Sequence, residues 1–158
     1  MLVLCISVTF ASAGASMRVN QRLIIEAIYA SWAAQDLASV GACLHQDAVY
    51  LLHLPAGAWP LSGVVRGRAT ILTSLSEILQ DFEVLAYRPL KITDADDGIW
   101  TSRARIHYGH RATGLSYEAT ISNVWRVDGD KIRSFEVFHD AARLRAFFEM
   151  VSKAGIDA

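Results

Sequence analysis

Residues 121–149 read ISNVWRVDGDKIRSFEVFHDAARLRAFFE. Two runs rich in strand-forming residues flank Asp128-Gly129-Asp130, and an amphipathic segment follows them. Asp-Gly between such runs signals a tight hairpin, because the turn needs φ > 0 and glycine reaches it without strain. At the far end Asp140 can accept from the free N–H groups of the helix it opens. Leu144, Phe147, Phe148 and Val151 then recur on one face of that helix. The block therefore predicts two strands joined by a tight turn, with an abrupt change to helix.

Upstream, helical periods come first and strand patterns later. Asn20 is placed to cap a helix whose apolar positions are Ile24, Ala27, Ile28, Ser31 and Trp32. A second, short helix is predicted from Leu37 to Leu44, and a strand from Ala48 to Leu54. Pro55–Gly67 reads as a loop from its three glycines and two prolines. Arg68–Leu79 is helical, with Ile71, Leu72, Leu75, Ile78 and Leu79 as its stripe. After Asp81 come four strand-like runs, 82–92, 99–110, 116–127 and 131–139. Asp96-Asp97-Gly98, Thr113-Gly114 and Asp128-Gly129 separate them with turn chemistry. Helices followed by consecutive hairpins predict an α+β domain, with helices on one face of an antiparallel sheet. Strands this long twist and curl, so the sheet can wrap the helices and leave a pocket.

The chain has 158 residues, 53% of them hydrophobic and 20% charged, with a formal net charge of -1. That suits one domain with a substantial core and offers no basic surface for phosphates, so nucleic acid is not an expected partner. Cys5 and Cys43 make neither a disulfide framework nor a zinc set. His45 and His53 lack partners at metal-ligand spacing, so no metal is expected, and no apolar run is long enough for a membrane span. Residues 1–16 (MLVLCISVTFASAGAS) form a leader or extended start. Ala11-Ser12-Ala13 and Ala13-Gly14-Ala15 resemble signal-peptide cleavage patterns, but no basic residue precedes Arg18. The expectation is a cytoplasmic protein, or a secreted or periplasmic one if residues 1–16 are a cleaved signal. Residues 17–158 form the single domain.

Taken in order, the helix pair, Asp47-Ala48-Val49, Gly63-x-x-x-Gly67-Arg68, Thr113-Gly114, Asp128-Gly129-Asp130-Lys131-Ile132 and Phe138-His139-Asp140 resemble the SnoaL-like branch of the nuclear transport factor 2-like superfamily. The resemblance covers residues 20–150. It implies a cone in which about three N-terminal helices pack on a strongly curved antiparallel sheet around a pocket, with a C-terminal helix and a homodimer through the sheet. It also implies a small hydrophobic or polyketide-like ligand and no cofactor.

Fold alone does not deliver function, so the pocket residues have to decide. Ketosteroid isomerase chemistry needs a carboxylate base with a Tyr and a protonated Asp. The matching positions hold Leu52, Ile28 and Thr120, which disfavours that reaction. Tyr29 adjoins Ile28, but one step along a helix turns a side chain by about 100°. The cyclase Asp matches Val137, whose neighbour Glu136 points the other way. An epoxide-hydrolase arrangement of Asp140, Arg105 and Glu118 is not required by their spacing. The resemblance implies that Phe135, Val137 and His139 face the cavity, with Trp32 and Tyr50 as further binding residues; Trp59 is expected either in core or interface packing or as a lid over the pocket. Cross-strand pairing puts His107 and Arg105 on one face with Glu118 and Thr120. If that face is the cavity, His107 and Glu118 are an acid-base couple; the favoured reading is a solvated face. His139, His107 and Glu118 are thus the candidates for cofactor-independent isomerase, cyclase or hydrolase chemistry. The alternative is a non-catalytic ligand-binding or dimerisation module.

Overall fold

The computed structural model describes residues 7–55, 59 and 62–156. Its elements follow the chain as α1 (Ser7–Ala33), α2 (Leu37–Cys43), β1 (Leu44–Leu52), β2 (Gly63–Arg66), α3 (Arg68–Asp81), β3 (Phe82–Asp94), β4 (Ile99–His110), β5 (Ser116–Asp128), β6 (Lys131–Phe138) and α4 (Ala141–Ile156). The six strands make one curved sheet in the order β2-β1-β6-β5-β4-β3. The architecture is α+β, as the order of periods predicts.

The closing block folds as its residues dictate. Asp128 lies opposite Lys131, and Gly129 takes φ +58° in the two-residue turn between them. Asp140 caps α4 by accepting the Arg143 N–H at Oδ1, 3.1 Å away. Leu144 and Phe147 on the opposite helix face are buried in the core.

Curvature has a local cause. The β3–β4 ladder slips between Val84 and Ala86 and again between Pro89 and Lys91, and β5–β6 slips between Arg126 and Val127. Each such bulge adds a residue on one strand, bending it and raising its twist. Pro89 can sit at one of these because β3 is an edge strand, where a missing N–H leaves no ladder bond unmade.

Four sequence expectations are corrected. The sheet is not wholly antiparallel: β1 and β6 run parallel, since the chain crosses through α3 to the far edge and returns by a β3–β6 meander. The predicted loop 55–67 contains an edge strand, because Val64–Arg66 pair with Val49–Leu51; residues 56–58, 60 and 61 lie outside the described residues. Asn20 is not a cap, as α1 already runs from Ser7 and continues through it. The expectation of a leader over residues 1–16 is untouched by these corrections: residues 1–6 lie outside the described residues, and 7–16 belong to α1. Finally, the buried stripe of α1 is Gln21, Ile25, Ile28, Tyr29 and Trp32, rotated from the predicted one. A polar residue belongs to this stripe because the buried Gln21 side-chain carbonyl accepts the Trp100 Nε1–H at 3.1 Å.

Gly98 locks the base of the cone. It has φ +72°, and its carbonyl accepts the Val127 N–H at 2.8 Å. A Cβ there would stand 2.6 Å from the Val127 carbonyl oxygen. Gly98→Ala is therefore expected to cost about 2–3 kcal/mol from strain and backbone collision together. Urea unfolding measures this, and an unchanged midpoint would contradict it.

Candidate functional site

The sheet's concave face, the helices and α4 enclose a cavity of about 70 Å³. Helix α1 supplies Ile28, Tyr29 and Trp32, while β1 supplies Tyr50 and Leu52. The sheet adds Tyr87, Tyr108, Tyr117, Trp125, Phe135 and Val137. Val40, Leu75 and Ile78 close the helical side, and His139 and Leu144 the α4 side. Trp59 sits at the rim, its ring 5.1 Å from Phe82 and 4.8 Å from Phe148. Among the described residues the lining holds no carboxylate, lysine or arginine.

Strand parity explains which side chains arrive there. On β4 the buried positions are Trp100, Ser102, Ala104, Ile106 and Tyr108. Tyr108 pairs with Tyr117 and Ile106 with Ala119 on β5, so the intervening residues point to the outer face. That places three sequence candidates elsewhere. His107 and Glu118 face each other on the outer side, and Thr120, opposite Arg105, is exposed beside them. Glu118 instead pairs with Arg105 at 3.4 Å, both side chains being more than half exposed. The solvated-face reading of this hairpin thus describes the fold. Ile28, Trp32, Tyr50, Leu52, Trp59, Phe135, Val137 and His139 do come together around the cavity.

A polar cluster underlies one wall. Tyr29 Oη and Ser102 Oγ share a hydrogen bond of 2.8 Å, and the Trp125 Nε1–H donates to Ser102 Oγ at 2.7 Å. The Asn123 amide also donates to Tyr29 Oη. Burial is the main cause that raises the Tyr29 phenol pKa above its ordinary value. On the neighbouring wall the Trp32 Nε1–H donates to Tyr108 Oη at 2.8 Å. Burial pushes the Tyr50, Tyr87 and Tyr108 phenols up as well, and Tyr87 is raised further by the closeness of Tyr108, Tyr29 and Tyr50. All four hydroxyls therefore keep their protons at ordinary pH.

His139 is the titratable group of the lining that differs. Its Nδ1 is buried with no hydrogen-bond partner among the described residues. Desolvation lowers its pKa to about 4, so the imidazole is neutral near pH 7. The Tyr117 ring lies 6.4 Å away, and the Arg143 guanidinium stands 5.9 Å from the centroid of that ring. The site can thus hydrogen-bond a ligand and exchange a proton through one weakly basic imidazole.

Sequence reasoning missed Tyr87, Tyr108, Tyr117, Ser102, Asn123 and Trp125, and turned Tyr29 away. The period-two pattern of β4 and β5 carries a signal for five of these. Trp100, Ser102, Ala104, Ile106 and Tyr108 alternate with Thr101, Arg103, Arg105 and His107, a contrast that marks the inner side.

Among solved structures, an NTF2-like protein of Burkholderia pseudomallei is similar with a TM-score of 0.71 and 18% identity, over 81% of this chain and 96% of that one. TerC, co-crystallised with polyporic acid, is similar with a TM-score of 0.72 and 17% identity, over 84% and 98%. A ketosteroid isomerase-like fold from Catenulispora acidiphila, in complex with trimethylamine, gives 0.66 and 17% over 77% and 88%. At such identities these likenesses concern the fold. No curated protein matches the sequence. The family model of the SnoaL-like domain matches residues 25–135, the span from the buried face of α1 to the cavity residue Phe135, and the chain belongs to that family.

Proposed function

We propose that this protein binds an uncharged, largely apolar small molecule in the cone cavity, without a cofactor. One observation carries the reading: the described lining is aromatic and aliphatic, with hydroxyl and indole groups but no fixed charge. Apolar walls with a few placed polar groups are what a small organic ligand needs. A fully charged ligand would lose its hydration there without a counter-ion. The cavity has room for roughly one small ring, or a few waters. A larger polyketide-like ligand would need the Trp59 side chain to move. The fold likeness to TerC, which was crystallised with polyporic acid, supports a small organic ligand.

Native mass spectrometry of the purified protein tests the proposal. An organic adduct released on denaturation is the expected result. Failure to retain any ligand, and to bind small aromatic probes afterwards, would overturn it.

A second reading, cofactor-independent acid/base catalysis of the isomerase, cyclase or hydrolase type, is favoured by His139. A neutral imidazole at a cavity wall can take a proton, and its unpartnered Nδ1 leaves room for a ligand-induced partner. The absence of a carboxylate beside it in the described lining favours binding over turnover. His107 and Glu118 would act only from outside the cavity.

We further propose a homodimer contact on the sheet's outer face, with Leu85 and Phe138, exposed by 49% and 38%, as its apolar residues. Light scattering should give a dimer of 17.4 kDa chains, and a strictly monomeric mass would refute the contact.

A further inference from the structure

We propose that Tyr108 anchors a set of hydrogen-bond donors in the cavity, and that this set selects ligands carrying a neutral oxygen acceptor, such as a ketone, over hydrocarbons and over carboxylates. The inference rests on the ligand-binding reading of the cavity and adds the polarity of what enters.

The argument starts from an indole. Trp Nε1–H can only donate, so in the 2.8 Å contact between Trp32 and Tyr108 the phenol oxygen must be the acceptor. The O–H of Tyr108 is then left to donate elsewhere, and no acceptor for it occurs among the described residues. Tyr50 and Tyr87 line the same cavity, and their hydroxyls also have no hydrogen-bond partner among the described residues. The Tyr87 ring lies 6.3 Å from that of Tyr108, which brings these phenols to one region of the wall.

Tyr29 shows the contrast. Its hydroxyl is already engaged by Ser102 and Asn123, so it has little left to offer a ligand. The cavity therefore has O–H donors free to meet a ligand, and in Tyr108, whose oxygen already accepts from Trp32, it is the O–H that is left to offer. The described lining thus carries four phenol O–H groups without a partner among the described residues, those of Tyr50, Tyr87, Tyr108 and Tyr117, and the imidazole of His139 on the α4 side. A hydrocarbon that displaces water from such an O–H leaves it without a partner, and a ligand oxygen relieves that cost. A carboxylate also accepts, but it must shed its hydration with no cation in the described lining.

Three probes of one size separate these terms. Acetophenone carries the carbonyl, α-methylstyrene replaces C=O by C=CH2, and benzoate replaces the ketone by a carboxylate. Titration of the 15N-labelled full chain at pH 7, followed through amide and Trp32 indole resonances, reads each Kd. Acetophenone is expected to bind about tenfold more tightly than α-methylstyrene, and benzoate more weakly than either. Tyr108→Phe is expected to reduce the ketone preference to about threefold or less, the donors of Tyr50 and Tyr87 remaining. Tyr87→Phe, which leaves the Trp32–Tyr108 bond in place, should reduce the preference partially.

Equal binding of ketone and alkene by the wild type would overturn the donor set while leaving the cavity reading intact. So would a preference undiminished in both variants, or benzoate binding as tightly as acetophenone. If none of the three probes shifts any resonance, the cavity reading itself fails and this inference falls with it.

Discussion

Trp125→Ala is expected to lower the unfolding free energy by about 3–5 kcal/mol, the range for removing a large aromatic from a packed interior. The side chain is 3% exposed and holds three parts of the site together. It stacks on Phe135 of the adjacent strand at 5.5 Å and 14°, and meets Tyr29 of α1 edge-on at 5.5 Å. It also donates to Ser102 on β4. Alanine would remove the apolar burial, leave a void beside an existing cavity and strip a donor from a buried hydroxyl. For a chain of this size the thermal midpoint should fall by roughly 10 °C. Trp125→Phe keeps most of the ring and loses the N–H, so about 1–2 kcal/mol is expected. Urea titration of both variants checks the ordering, and a loss below about 1 kcal/mol for the alanine variant would mean that the wall repacks freely.

The second large effect is a dependence of stability on pH through His139. Its folded pKa is about 4, below the ordinary 6.5, with desolvation as the cause. Between those two values the unfolded chain takes up a proton that the folded chain refuses. Stability from this group is therefore full above about pH 6.5, declines as pH falls through the interval, and levels off below about pH 4. The total amounts to about 2–3 kcal/mol, allowing for partial solvent access at the cavity. His139→Gln removes the titration and keeps a polar side chain. The wild-type advantage over this variant at pH 7 should shrink by about that amount at pH 4.5. Parallel pH profiles for the two proteins would rule the effect out. The same experiment bears on catalysis, because a base this weak at rest needs a ligand to raise its pKa before it can hold a proton near neutrality.

How legible the molecule was from its residues depends on the range of the interaction concerned. Local rules served well where neighbours in sequence are neighbours in space. Gly129 in its turn, Asp140 at its helix and the start of β5 at Ser116 all follow from chemistry within a few residues. The rotation of α1 did not. Ile24, Ala27 and Ser31 make an acceptable apolar stripe in isolation. The buried face instead follows Gln21, Ile25 and Tyr29, because Trp100, Ser102 and Asn123 on distant strands offer those polar groups partners. A helix whose apolar surface extends around its axis takes the rotation its partners select.

The chain by itself determined the closing hairpin and cap, the division into helices and then strands, the α+β class and the two alternating faces of β4 and β5. Only the tertiary structure decided which of those faces looks inward. It also set β1 parallel to β6 and gathered Tyr29, Tyr50, Tyr87 and Tyr108 from four elements around one cavity. Turns, caps and periods are written in φ/ψ preference and side-chain spacing, which act over a few residues. The inner face is chosen by where helices cover a sheet, and that choice depends on contacts between residues far apart in the chain.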